Sequence, residues 1–147
     1  MFRRIWLRPR ILRNVRYVDP STKILGIPSA LPFYITATAL GRMGHPDGEL
    51  NLTRAAARTG LIQMIPTLSS VSFDEIIDAR NQEGGPAQFF QLYVSTDRNV
   101  VANMLRRAEE TNVKAIFVTV DAPQLGRREQ DMRMHFVDEG SDVQGGH

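Results

Sequence analysis

Cysteine is absent from this 147-residue chain, which excludes disulfides and thiolate chemistry alike. No apolar run approaches the roughly 18 residues that a membrane span requires. Acidic residues are missing from the start: Arg3, Arg4, Arg8, Arg10, Arg13 and Arg16 all precede Asp19, the first carboxylate. Beyond Val18 the chain carries 12 basic and 16 acidic residues, so the net charge of +2 belongs to the first segment alone. An acid-free, Arg-rich start suits a presequence or a nucleic-acid arm. Pro9 breaks any helix a presequence would need, and no aromatic-interleaved basic patch follows. The segment reads instead as a surface lead-in anchored by Trp6, Ile11, Leu12 and Val15. No nucleic-acid partner and no clear targeting signal are expected.

What the chain does contain is a repeat. Pro32 to Ala39 reads as a strand ending in small residues, Glu49 to Arg58 as a helix, and Leu61 to Ile65 as a second strand closed by Pro66. Ser72-Phe73-Asp74-Glu75 has the form of a capping box and opens a helix ending near Asn81. Phe89 to Val94 is a third strand. Ser95 or Thr96 then caps a helix from about Asp97 to Glu110, with an apolar stripe at Val100, Val101, Met104, Leu105 and Ala108. Lys114 to Asp121 is the fourth strand, apolar without a break from Ala115 to Val118, as in a strand buried on both faces of a parallel sheet. Strand centres near Phe33, Ile62, Phe89 and Phe117 recur every 27 to 29 residues. This is βα repetition with parallel strands in sequential order.

An open doubly wound sheet and half of a (β/α) barrel both fit. The GxGxxG turn of a dinucleotide fold is missing, since Ala37-Thr38-Ala39-Leu40 stands after the first strand. Polar residues also mark the carboxyl ends of all the strands, where barrels build their sites. The expected fold is therefore α/β, of the TIM-barrel (β/α)8 kind, with about the first four βα units. Residues 1–30 form the basic lead-in, 31–121 four parallel strands with three helices, and 122–147 a loop and tail.

Side chains alternate along a strand, so Gln91 and Tyr93 share a face of the third strand, and Thr119 and Asp121 a face of the fourth. Each alone has an ordinary structural role open to it: a strand-end Thr or Gln serves loop backbone groups, and Tyr packs half-buried. Four at matching heights on adjacent strands point to a site. The histidines do not add a base. His45 belongs to a turn, while His135 and His147 lie in a polar tail. Asp138, Glu139 and Asp142 read as a solvated loop, and no metal-ligand spacing occurs.

The stretches Arg8-Pro9-Arg10-Ile11-Leu12, Ile35 to Leu40, Gly44-His45-Pro46-Asp47-Gly48-Glu49, Gln91-Leu92-Tyr93-Val94 and Phe117 to Glu129 resemble the FMN-dependent α-hydroxy-acid dehydrogenase family. The likeness is greatest to its cytochrome-linked L-lactate dehydrogenase branch. The resemblance implies a (β/α)8 barrel, FMN as cofactor, and a small-molecule L-2-hydroxy acid, foremost L-lactate, as substrate. It implies that backbone around Ala37, Thr38 and Ala39 lines the flavin and that Gln91 and Thr119 hydrogen-bond its ring. Tyr93 matches a phenol that contacts substrate, and Arg128 a loop arginine that approaches it. Asp121 matches the carboxylate that orients the catalytic His.

The chain departs from the family at Pro66, where a flavin-contacting Ser is expected; Thr67 and Ser69 are the candidate substitutes. The family's catalytic His, substrate-binding Arg, flavin-side Lys and phosphate loops belong to the second half of its barrel. The expectation is therefore an enzyme piece, inactive alone and a poor FMN binder. The alternative is a non-catalytic half-barrel. In either case a homo-oligomer or a complementary half-barrel is the expected partner. By family the compartment is mitochondrial, peroxisomal or cytoplasmic.

Overall fold

The sheet grows from backbone pairing between strands that are far apart in sequence. The computed structural model describes residues 2–122 together with Glu129 and Arg133. The three central strands are β3 (Met64–Ile65), β4 (Phe89–Leu92) and β5 (Ala115–Val118). All pairs are parallel, in the order β3-β4-β5. Three helices connect and flank them: α1 (Glu49–Thr59), α2 (Phe73–Gln82) and α3 (Arg98–Glu110). The result is an open arc of a (β/α) barrel, with no closed barrel among the described residues.

The first expected strand, Pro32 to Ala39, is reduced to a single parallel bridge between Ile35 and Gln63. Ile35 N donates to Ile62 O at 2.9 Å, and Met64 N donates to Ile35 O at 2.8 Å. Pro32 has no N–H to add to the ladder, and pairing on one side only leaves Thr36 to Ala39 as irregular chain. The second strand is likewise shorter than expected, beginning at Met64 rather than Leu61. The sequential order survives, because Ile35 neighbours Gln63 just before β3.

The lead-in contains a hairpin that the sequence pattern did not suggest. There β1 (Thr22–Ile24) pairs antiparallel with β2 (Ile27–Ser29). Leu25 and Gly26 form the two-residue loop with φ of 51° and 80°, the positive values a type I′ turn needs. Leucine rarely accepts that conformation, which is why the turn is inconspicuous in sequence. The expected anchors do not anchor: Trp6, Ile11, Leu12 and Val15 are at least 73% exposed.

Helix ends follow their local chemistry. Ser72 and Glu75 form the complete capping box at the start of α2. Asp97, rather than Ser95 or Thr96, caps α3, its carboxylate accepting from Asn99 N at 2.8 Å. Gly60 closes α1 at φ 69°, the left-handed stop that glycine adopts freely.

Alternation along β4 divides the core. Phe90 and Leu92 join Ile65, Val71, Phe73, Ile76 and Ile77 beneath the helices. Phe89 faces the inside of the arc with Ile62 and Met64, against Tyr34 and Phe117. The strand β5 is not buried on both faces as its apolar run suggested. Ile116 and Val118 are 39% and 50% exposed, and β5 is the last of the three paired strands.

Candidate functional site

On the inside of the arc, at the carboxyl ends of the strands, lies a concavity of about 600 Å³ that opens to solvent. This volume falls within the few hundred to roughly 1,000 Å³ of small-molecule sites. Tyr34, Tyr93 and Phe117 are its aromatic lining, and the fully buried Phe89 packs against Tyr34 and Phe117. Phe117 lies 5.5 Å from Phe89 by ring centroids, and Tyr34 packs against both at 5.8 Å and 6.1 Å. Ala37 and Ala39 line the side given by the irregular strand-one segment, and Gln91, Tyr93, Thr119 and Asp121 the side given by β4 and β5.

The Gln91 amide is held from both ends. Its Oε1 accepts from Thr67 N at 3.1 Å, and its Nε2 donates to Thr119 Oγ1 at 2.9 Å. A backbone N–H can only donate, so Thr67 fixes which way the amide points. Gln91 retains one further N–H, and Thr119, having accepted, retains its hydroxyl proton. The ladder runs one residue past β5 through Thr119 N, which donates to Leu92 O at 3.0 Å. That extension places Thr119 beside Gln91.

Six residues singled out in the sequence thus meet at one cavity: Ala37, Ala39, Gln91, Tyr93, Thr119 and Asp121. Thr38 does not join them by its side chain, which is exposed and donates to Thr36 O at 3.2 Å. Arg128 lies outside the described residues. Neither candidate for the Ser displaced by Pro66 reaches the cavity. Thr67 is buried, donating to Gln91 O at 2.5 Å and accepting from Tyr93 N at 3.0 Å. Ser69 is buried and accepts from Val71 N at 3.3 Å. Pro66 itself lines the wall.

His45 sits in its turn, its Nδ1 accepting from Asp47 N at 3.1 Å; His135 and His147 lie outside the described residues. Among the described residues no group of three or more His, Cys, Asp or Glu side chains could hold a metal, and no helix is long and apolar enough to cross a membrane.

Sequence reasoning missed Tyr34. A ring next to the two prolines' stretch read as ordinary strand, and only the collapse of that strand to one bridge turns Tyr34, Thr36, Ala37 and Ala39 all toward the cavity.

A parallel βα arc with its polar groups at the strand carboxyl ends defines a barrel-type ligand site. Residues 1–143 match the family of FMN-dependent dehydrogenases, and the chain belongs to that family. It is 51% identical over 144 residues to an L-lactate dehydrogenase (cytochrome) of Wickerhamomyces anomalus, covering 98% of this chain and 25% of that protein. It is 46% identical over 136 residues to the glycolate oxidase of Spinacia oleracea, covering 92% of this chain and 36% of that one. The flavin-binding domain of baker's yeast flavocytochrome b2 superposes with a TM-score of 0.83 at 44% identity, over 91% of this chain and 35% of the other. The chain therefore spans about a quarter to a third of the length of these relatives.

The cavity fits one part of FMN. Its aromatic and alanine lining suits an apolar ring lying near backbone, and the spare donors on Gln91 and Thr119 suit ring carbonyl and nitrogen acceptors. Among the described residues that line it, none is cationic, so the lining suits the ring better than the phosphate.

Proposed function

We propose that this chain provides the ring-side wall of an FMN site in an enzyme that oxidises an L-2-hydroxy acid to the 2-oxo acid, with L-lactate the foremost substrate. The observation that carries this reading is the Gln91 amide, locked between Thr67 and Thr119 at the rim of a cavity lined by aromatic and alanine side chains. FMN, when bound, supplies the acceptor for the two electrons removed from the substrate. Backbone at Ala37, Thr38 and Ala39 lies along the ring, and Gln91 and Thr119 hydrogen-bond its edge. The Tyr93 phenol, 43% exposed at the same cavity, contacts the substrate carboxylate or hydroxyl. Arg128, outside the described residues, is assigned to substrate binding.

Asp121 orients a catalytic imidazole and stabilises it once it has taken the hydroxyl proton, as a carboxylate does beside a histidine. A carboxylate is itself a poor base for that proton. No described residue lining the cavity is a histidine, lysine or arginine. The described residues therefore position ring and substrate without supplying the base, and the chain alone is expected not to oxidise L-lactate. The test is lactate-dependent bleaching of flavin absorbance. The chain by itself is expected to give none, and the chain joined to a protein portion carrying the base is expected to bleach, with Asp121→Asn cutting turnover at least about 100-fold. Bleaching that Asp121→Asn leaves unchanged would contradict the assignment.

The exposed outer face of β5, with Ile116 and Val118, supports a second element of the reading. An uncovered apolar edge strand invites pairing, and we assign it to association with a complementary half-barrel or with a second copy.

A further inference from the structure

The most deeply buried charge among the described residues lies outside the cavity. Glu49, the first residue of α1, is 0% exposed. Its Oε1 accepts from Gly41 N at 2.8 Å and from Ser70 N at 3.1 Å, and its Oε2 accepts from Ser70 Oγ at 2.6 Å. Ser70 Oγ in turn accepts from Arg42 N at 2.9 Å. Burial by itself would raise the Glu49 pKa, but the Ser70 hydroxyl and the Gly41 and Ser70 amides outweigh it and hold the pKa below the ordinary 4.5. The carboxylate stays ionised in the interior, where a charge must be fully hydrogen-bonded to be tolerated.

The geometry around it is specific. A Cβ on Gly41 would lie 2.8 Å from Glu49 N, and one on Gly48 would lie 3.0 Å from Ser70 Oγ. Gly48 also has φ of 52°. Two glycines thus let the helix start press against both loops.

Those loops are the cavity's own. Gly41 stands two residues after Ala39, and Ser70 two residues after Leu68, which are both cavity-lining. From Ser70 the chain runs back to Thr67, which binds Gln91, which binds Thr119. Hydrogen bonds joined by two short stretches of backbone, Ala39 to Gly41 and Thr67 to Ser70, therefore link all four strand ends.

We propose that Glu49 is a positioning residue for the flavin ring: it holds the loop after Ala39 and the loop after β3 at the spacing a planar ligand requires. This rests on the FMN reading above. The arrangement asks more of Glu49 than capping a helix. Capping needs one acceptor at the N-terminus of α1, whereas here both oxygens are spent on two loops outside the helix.

Glu49→Gln keeps the shape but puts an amide donor where the Ser70 hydroxyl needs an acceptor; Ser70→Ala removes that hydroxyl. Both variants of the 147-residue chain are compared with the unaltered chain by amide exchange and by NMR titration with FMN, a method that reads weak binding. The expected result is faster exchange at Gly41, Arg42 and Ser70 and an FMN dissociation constant raised about tenfold, the scale of one charge-assisted hydrogen bond. Faster exchange with unchanged affinity overturns the positioning role and leaves a purely structural clip. Unchanged exchange overturns the clip itself. If the unaltered chain takes up no FMN, the reading of the site fails and the positioning role fails with it, an outcome distinct from unchanged affinity in the variants.

Discussion

The Gln91 side chain donates from Nε2 to Thr119 Oγ1 at 2.9 Å while its Oε1 accepts the Thr67 amide. One amide thereby joins the ends of β4 and β5 to the loop after β3, and it does so at the lip of the cavity. Gln91 is 8% exposed, so a side chain of similar size without polar atoms leaves the Thr67 N–H without a partner. Gln91→Leu is expected to lower stability by about 1–3 kcal/mol, the cost of an unsatisfied buried group. Urea unfolding of the two proteins measures it, and equal midpoints would show that the amide is not engaged.

Ser72 closes the capping box of α2, its hydroxyl accepting from Glu75 N at 3.3 Å and Glu75 Oε2 accepting from Ser72 N at 3.1 Å. Ser72→Ala should cost about 1 kcal/mol. The same substitution at Ser95, which does not cap α3, should cost less than half of that. Thermal or urea midpoints of the pair check the ordering.

Stability should fall with acid in a defined way. The Glu49 pKa is held below 4.5 in the folded chain by the Ser70 and Gly41 donors, against the opposing effect of burial. Glu75 and Glu83 are lowered in the same sense, chiefly by the hydrogen bonds from Ser72 and Arg58 respectively. A depressed carboxylate contributes stability that is fully present above its unfolded pKa and is lost as pH drops through the folded value. Unfolding midpoints are therefore flat from pH 7 to about 5.5 and decline from about pH 5 downward. Glu49→Gln should flatten that decline more than Glu75→Gln, since Glu75 is solvent-exposed and screened.

Association follows from the edge strand. Ile116 and Val118 are exposed on β5, with Val120 85% exposed beyond it. Sedimentation of the chain at moderate concentration should show species larger than a monomer, and Ile116→Lys with Val118→Lys should shift it toward the monomer. A clean monomer for the unaltered chain would contradict this.

Much of this was legible in sequence, and the rest was hidden for physical reasons. The helix α2 announces itself by its capping box and α3 by its apolar stripe, though Asp97 and not Ser95 or Thr96 caps it, and β4 by its apolar run between turn residues. The meeting of Gln91 and Thr119 follows from alternation on neighbouring parallel strands. Strand one was overread because propensity cannot tell a paired strand from an extended segment with a single neighbour, and Ile35 has only Gln63. The run at Ala115 to Val118 looked doubly buried because apolarity records the face a strand can bury, not whether anything covers it. Trp6 and Leu12 misled in the same way. The hairpin at β1 and β2 escaped because Leu25 carries its positive φ. Glu49 escaped because a glutamate opening a helix ordinarily sits in water near the helix dipole; its burial depends on glycines at positions 41 and 48 letting two distant loops close on it.

The measurement closest to the central claim is an NMR titration of the 147-residue chain with FMN and, in parallel, with riboflavin. The ring, and not the phosphate, is expected against these residues, because no cationic side chain is among the described residues lining the cavity. Shifts are expected at Ala37, Ala39, the Gln91 side-chain amide and Thr119, with the two ligands bound equally within about twofold, a difference of less than half a kcal/mol. Shifts confined to other residues, or a tenfold preference for FMN, would contradict it.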